Sequence, residues 1–334
     1  MCPAAKPRAS ENKAAILPAI GAAPPARGLR AARAPRLALP ARFRRERVLV
    51  VGCGDVGQRL LRDQRKPGAG PRWLALTSQP EKRAALRALG AMPLVGNLDD
   101  ARALRRLAGL AHRIIHLAPP PGDGAQDPRT RNLLRSLRRG HLPRSLVYGS
   151  TSGVYGDCGG DWVAETRPLH ATTARARRRV DAERRVRSFP TATRASVLRI
   201  PGIYAPDREG GTPLARLQRG SPVLMAQDDV YTNHIHADDL ARACWLALWR
   251  GQARRVYNVN DDSQLRMGDY FDAAATLYGL PLPPRVYRAQ AAQQLSPIQM
   301  SFMSESRRLR NTRMKQELRL RLRFADPLAG LRGG

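Results

Sequence analysis

From Arg47 onward, apolar residues fall into short continuous runs separated by stretches in which they recur every three or four positions. The runs RVLVV (47–51), RWLAL (72–76), AMPLV (91–95), RIIHLA (113–118) and RSLVYGS (144–150) have the length and aliphatic content of strands buried on both faces. Between them, VGQRLLRDQ, PEKRAALRALG and the segments near 99–108 and 126–139 carry helical spacing. Gly90 stands where a helix C-terminus favours a left-handed residue. SVLRI (196–200) and RVYNV (255–259) predict two later strands. Strand and helix alternating at this interval predict βαβ units, and so an α/β fold on a doubly wound parallel sheet covered on both faces. Further on, SESRRLRNTRMKQELRLRLRF (304–324) predicts a basic helix capped by Ser304 or Ser306. In HIHADD, Asp238 or Asp239 is expected to cap a helix, with His236 as a packed neighbour.

The pattern is absent from residues 1–46, which are rich in Ala, Pro and Arg and contain only Glu11 and Glu46 as acids. Such a segment buries too little apolar surface to offset its ordering entropy, so a disordered extension is expected there. No apolar run reaches the roughly 20 residues that span a bilayer, so no membrane association is expected. The four cysteines, Cys2, Cys53, Cys158 and Cys244, lack the spacing of a zinc site or a disulfide framework. No metal and a reducing, cytoplasmic setting follow as expectations.

Charge changes the picture less than its size suggests. The formal net charge is +31, but lysine occurs only at Lys6, Lys13, Lys66, Lys82 and Lys315, so arginine supplies nearly all of the 58 cations. Arginine spread through an Ala-, Pro- and Gly-rich chain reads as solvated surface. No zinc-finger spacing or aromatic RNA-binding motif accompanies it, so specific nucleic-acid recognition is not expected.

The sharpest motif is VLVVGCGDVGQRL, in which Gly52, Gly54 and Gly57 form G-x-G-x-x-G between a strand and a helix, with Asp55 and Val56 opening the helix. Gly52 suits the tight turn, Gly54 lets the backbone approach a pyrophosphate, and Gly57 lets the helix sit close to the strand. The anion would rest on the unpaired N–H groups of the helix N-terminus. At the end of the second strand a carboxylate would accept from a ribose 2′-hydroxyl. Here Thr77 and Ser78 stand, with Lys82 and Arg83 following. Hydroxyls and cations favour the 2′-phosphate of NADP over NAD, although Thr77 and Ser78 are also fit to cap the next helix.

The order of the remaining motifs narrows the field. GNLDD (96–100), HLAPPP (116–121), YGSTSGVYGD (148–157), LRIPGIYAPDR (198–208), NHIHADDLARA (233–243) and VYNVNDD (256–262) follow one another. Over about residues 47–330 the sequence resembles the extended short-chain dehydrogenase/reductase superfamily, and within it the atypical bacterial branch of NAD-dependent epimerase/dehydratase proteins. The resemblance implies an NAD(P)-binding Rossmann domain over 47–200 and a smaller substrate lobe over 201–330. It places Asn97 and Leu98 near the adenine, Leu117 and Ala118 along the cofactor, and Pro201, Gly202 and Ile203 beside the nicotinamide. Thr151 falls at the active-site Ser/Thr position. Tyr155 and Arg208 are assigned to a small-molecule substrate, of which a sugar nucleotide is the type the resemblance suggests. Homodimerisation through helices around the fourth and fifth strands is also implied.

One part of the pattern is broken. In typical members a Tyr-x-x-x-Lys pair opens a helix that ends in Glu. With Glu183 in the Glu place, Arg175 takes the tyrosine position and Arg179 the lysine position. An arginine stays protonated and cannot shuttle a proton, but its planar fork can orient a carbonyl or bind an anion. The expected function is an NAD(P)-dependent oxidoreductase or epimerase-like enzyme acting on a carbonyl or sugar nucleotide, with Thr151, Arg175 and Arg179 as catalytic candidates. A non-catalytic NAD(P)-binding sensor or regulatory protein is the alternative, and a polyanion binder on a Rossmann scaffold a further one.

Overall fold

The computed structural model describes residues 45–65 and 70–332. Of the extension expected over 1–46, residues 1–44 lie outside the described residues, Cys2 among them; Glu46 is described and joins the fold, pairing with Arg113 at 2.6 Å. The unit from Arg44 to Gly334 carries the fold.

Seven parallel strands form its central sheet. They are β1 (Arg47–Val51), β2 (Arg72–Thr77), β3 (Ala91–Val95), β4 (Arg113–His116), β5 (Ser145–Thr151), β6 (Arg194–Ile200) and β7 (Val256–Asn258), in the spatial order β7-β6-β5-β4-β1-β2-β3. Chain order reverses between β1 and β4, the switch point at which such sheets open a crevice beyond their C-terminal ends. Every strand residue from Val48 to Val51 and from Ile114 to His116 is buried. This fits a sheet covered on both faces.

Helices α1 (Asp55–Asp63), α2 (Arg83–Ala88), α3 (Pro128–Leu137), α4 (Ala174–Arg187) and α5 (Ala237–Arg250) cover the sheet, and α6 (Met267–Tyr278) lies beyond it. On one face Leu60, Leu61, Cys244, Ala247 and Leu248 pack over Val48, Val50 and Ile115. On the other, Leu133, Leu134, Leu137 and Val186 pack over Leu49, Val51 and Ile114. Residues after the sheet crosses β6 build a separate apolar cluster around Tyr204, Val223, Tyr270, Phe271 and Leu331.

The structure corrects three local expectations. The segment near 99–108 forms only a 3₁₀ turn at Ala103–Leu107. Residues 304–324 are not one helix: Arg308–Leu309 run as a short strand beside Trp162–Val163, and only Met314–Leu318 coil. The reason is tertiary. The loop before Trp162 offers this segment's backbone partners, with Cys158 and Gly160 N–H groups donating to the Ser306 carbonyl and Arg308 N–H donating to Asp161. Finally, α5 is capped by His236 itself, whose Nδ1 accepts from the Asp238 N–H at 3.2 Å while its ring stacks on Phe324. Asp239 is buried instead, accepting from Arg242 and from the Arg323 and Phe324 N–H groups.

Candidate functional site

Three adjoining cavities run along the C-terminal edge of the sheet, at the switch point. The first, about 310 Å³, lies over the ends of β1, β2 and β3 and meets Thr77, Ser78, Lys82, Asn97, Leu98 and Arg129. The second, about 290 Å³, lies over the glycine loop and the end of β5, against Gly54, Val56, Leu117, Thr151, Pro201 and Ile203. The third, about 550 Å³, opens from Thr151 into a chamber bounded by residues after 200. The first two share Gly52, Gly54 and Leu117; the second and third share Thr151, Arg179 and Arg208. The result is one groove.

The glycine loop has the geometry its sequence suggests. Gly52 sits at φ +79°, and a Cβ there would come within 2.5 Å of Ala118 Cα, where the chain leaving β4 crosses the loop. Nothing but glycine fits that crossing. Gly57 brings α1 down onto β1, its missing Cβ facing Cys53 Sγ at 3.0 Å and Val50. Gly54 differs. It is the N-cap of α1 with no side-chain acceptor on the free N–H groups, and the space its Cβ would enter is empty for 4 Å. An open cradle at a bare helix N-terminus fits the pyrophosphate of a dinucleotide.

At the far end, Thr77 Oγ1 accepts from the Gln79 N–H at 3.1 Å, a local turn, while Ser78 is exposed. Asn97 Oδ1 is similarly engaged by the Asp99 N–H, and Arg129 is paired with Asp99 at 2.8 Å. Beside the loop, Asp55 pairs with Arg59 at 2.9 Å and with Arg208 at 2.5 Å. Arg59 also binds Asp207 and Asp238, and these partners raise its pKa against the opposing effect of burial. These pairs tie the 205–211 loop to α1 across the second cavity.

The chamber is rich in guanidinium. Arg175, Arg179, Arg208, Arg216 and Arg307 line it, against the carboxylates Glu209 and Glu305. Arg179 is held by its Nη1, which donates to the Gly149 carbonyl at 2.7 Å and to the Tyr148 hydroxyl at 3.0 Å. Arg175 stands 5.1 Å over the ring of Phe302. Arg216 lies 4.3 Å over Phe271, and its Nε and Nη2 are buried with no hydrogen-bond partner among the described residues. Burial, then the neighbouring Arg219, lower its pKa.

Thr151 ends β5 at the junction of the second and third cavities, its Oγ1 accepting from the Gly153 N–H at 3.3 Å. Beneath it, Ser150 donates to Glu183 at 2.6 Å, and Glu183 pairs with Arg199 at 2.7 Å, all three buried. Tyr155 is corrected from its expected place at the substrate. It is 1% exposed, its ring lies against Arg199, and its hydroxyl donates to Asn258 Oδ1 at 2.7 Å, so it faces the core. Arg178, on the same helix as Arg175 and Arg179, is buried and donates to the Gly124 carbonyl.

The groove thus brings together all the remaining expected residues: Gly52, Gly54, Asp55, Val56, Gly57, Thr77, Ser78, Asn97, Leu98, Leu117, Ala118, Thr151, Arg175, Arg179, Pro201, Gly202, Ile203 and Arg208. Sequence reading missed Phe302, and also Glu305 and Arg307, which fall in the 304–324 stretch that reads as a basic helix. It also missed Tyr231 and Thr232 in the chamber wall, and His234, which lies in a motif read for its order in the chain and for a helix cap. Among the described residues, no group of three or more His, Cys, Asp or Glu is placed to hold a metal ion. No helix among them is long and apolar enough to cross a membrane.

A seven-stranded parallel sheet with a glycine loop at its switch point defines a dinucleotide-type Rossmann fold. Residues 48–260 match the model of the NAD dependent epimerase/dehydratase family, and the chain belongs to that family. A conserved protein of unknown function from Silicibacter pomeroyi is 33% identical, with 86% of this chain and 96% of that one covered at a TM-score of 0.72. UDP-glucose 4-epimerase from Thermotoga maritima, solved with UDP-glucose, is similar in fold at 18% identity, 86% and 96% coverage and a TM-score of 0.68. MoeE5, solved with UDP-glucose and NAD, gives 20% identity, 86% and 97% coverage and 0.65. No curated protein matches the sequence.

Proposed function

We propose that this chain is an NADP(H)-preferring enzyme of the epimerase/dehydratase family that acts on a carbonyl or carbinol carbon of an anionic, sugar-nucleotide-type substrate. One observation carries the reading: a single groove runs from the end of β2, across the open Gly54 cradle, past Thr151 and into a chamber lined by five arginines. Gly52, Gly54 and the α1 N-terminus would hold the dinucleotide's phosphates. Leu117, Ala118, Pro201 and Ile203 would flank it, and the bound dinucleotide would supply hydride exchange. Ser78, Lys82 and Arg129 at the adenosine end, with no carboxylate among the described residues that line that cavity, favour a 2′-phosphate. Thr151 would donate to the reacting oxygen. The guanidinium groups that line the chamber would take the substrate's phosphates. Two fold neighbours were solved with UDP-glucose, which makes it a sensible probe.

The replaced tyrosine–lysine pair favours a second reading, a dinucleotide-binding protein without turnover, because Arg179 is already occupied by Tyr148 and Gly149. A paired fluorescence titration with NADPH and NADH tests the first step. Gly54→Asp is the right control, since its side chain enters empty space and leaves the fold intact, whereas Gly52 cannot be substituted without collision. Tight NADPH binding that Gly54→Asp abolishes is the expected result; no binding of either dinucleotide sinks both readings. Turnover of a bound sugar nucleotide, lost in Thr151→Ala with dinucleotide binding retained, separates the enzyme from the silent binder.

A further inference from the structure

We infer that Glu305 is the residue that takes the substrate's proton, in place of the missing tyrosine; the inference rests on the enzymatic reading above. The position that a Gly153 side chain would fill lies 3.7 Å from Thr151 Oγ1 and 3.9 Å from Glu305 Oε2. A hydroxyl and a carboxylate therefore both stand beside Gly153, and both line the chamber. A substrate oxygen bound in the chamber over Gly153 would have a donor and a proton acceptor as neighbours.

The carboxylate is held in place from both ends. Its Oε2 accepts from Arg307 Nη1 at 2.7 Å, and the same nitrogen donates to the Gly156 carbonyl at 2.7 Å. Its backbone neighbour Ser306 is fixed four ways: its N–H donates to Asp157, its carbonyl accepts from the Cys158 and Gly160 N–H groups, and its hydroxyl accepts from the Tyr231 N–H. Glu305 Oε1 has no hydrogen bond among the described residues, which leaves it for the substrate. The other carboxylate of the chamber, Glu209, is exposed on the 205–211 loop. Neither Arg175 nor Arg179 can accept a proton.

In the step assigned to Glu305, the substrate O–H bond breaks and its proton passes to Oε1. The carbon bearing that oxygen would give its hydride to the oxidised nicotinamide dinucleotide when bound, and the C–O bond becomes a carbonyl. The reverse step returns both. Thr151 steadies the oxygen throughout.

Two variants test this, with UDP-glucose and UDP as probes. Glu305→Gln keeps an acceptor for Arg307, so it should fold, bind NADPH as wild type does, and bind UDP-glucose within about threefold. Its turnover should fall by about 10²–10⁴-fold, the usual loss when general acid–base catalysis is removed. Glu305→Ala, measured by calorimetry without dinucleotide, should lose about tenfold or more of the preference for UDP-glucose over UDP, as expected for a lost hydrogen bond to a charged group. A preference unchanged in Glu305→Ala shows that the carboxylate does not touch the sugar and overturns the inference. So does wild-type turnover in Glu305→Gln, which leaves the enzymatic reading standing. Wild-type protein inert toward every substrate tried overturns that reading and this inference together.

Discussion

His116 ends β4 with its ring fully buried 5.3 Å from that of Tyr148. Its Nε2 lies 2.9 Å from Thr130 Oγ1, whose own hydrogen goes to Asp127 at 2.6 Å, so Nε2 carries the proton and Nδ1 is bare and buried. Burial, with Arg179 nearby, lowers its pKa to about 3, and burial alone lowers that of His234 to about 4. Asp261 behaves in the opposite way: burial, outweighing the hydrogen bonds from Ser263, raises it to about 7. The two kinds of group tilt stability in opposite directions. Below pH 6.5 the unfolded chain binds protons that folded His116 and His234 refuse, so stability falls as acid is added. Between about pH 4 and 7 folded Asp261 keeps a proton that the unfolded chain releases, so its contribution falls as pH rises. Melting temperatures at pH 5 and pH 8 separate the two. Asp261→Asn should be stabilised relative to wild type at pH 8 more than at pH 5, and His116→Gln should shrink the loss at pH 5. Each effect should be on the order of a few kcal/mol. Parallel melting profiles for wild type and both variants would refute the assignment.

At the scale of elements, the seam of β5, α4 and β6 holds Thr151 in register, and the buried Glu183–Arg199 pair is its joint. Arg199 also donates to the Glu165 carbonyl, and Ser150 donates to Glu183, so the pair links helix, strand and the residue beneath the site. Removing one partner leaves a buried charge unmatched. Glu183→Gln or Arg199→Met alone should cost about 3–5 kcal/mol in urea unfolding, and replacing both with apolar residues far less. A single variant costing under about 1 kcal/mol would mean the joint lies elsewhere. Much of this layer was legible in the sequence. The short apolar runs locate all seven strands, because strands buried on both faces need continuous apolar character, and G-x-G-x-x-G between β1 and α1 locates the loop. Thr151 was legible from its place at a strand end. The Glu183–Arg199 partnership was not, since it joins residues 16 apart in sequence through tertiary packing. Glu305 was hidden for the same kind of reason. Its segment has arginine-rich helical composition, and only the hydrogen-bonding edge of the 156–163 loop draws it out straight.

The whole molecule carries a formal charge of +31, and its 27 acidic residues are heavily committed. Asp55, Asp207 and Asp238 serve Arg59; Glu183 serves Arg199; Glu317 serves Arg255. The arginine surplus therefore stays unneutralised at the surface, including Arg177, Arg184 and Arg187 along the outer side of α4. Such a surface attracts any polyanion at low ionic strength, but scattered cations make no directional contacts with bases. Binding to duplex DNA should therefore depend on released counterions alone: measurable at 50 mM salt, about 10³-fold or more weaker at 200 mM if six or more phosphates are engaged, and indifferent to base sequence. NADPH binding draws on few charges and on the shaped Gly54 cradle, so it should weaken much less over the same range. Titrating both ligands at the two salt concentrations compares them directly. If DNA affinity persisted at 200 mM salt and competed with NADPH, the arginines would be a recognition surface and the Rossmann core its scaffold. If DNA binding fades while NADPH binding survives, the charge only steers anions toward the groove, and the chemistry belongs to the residues that line it.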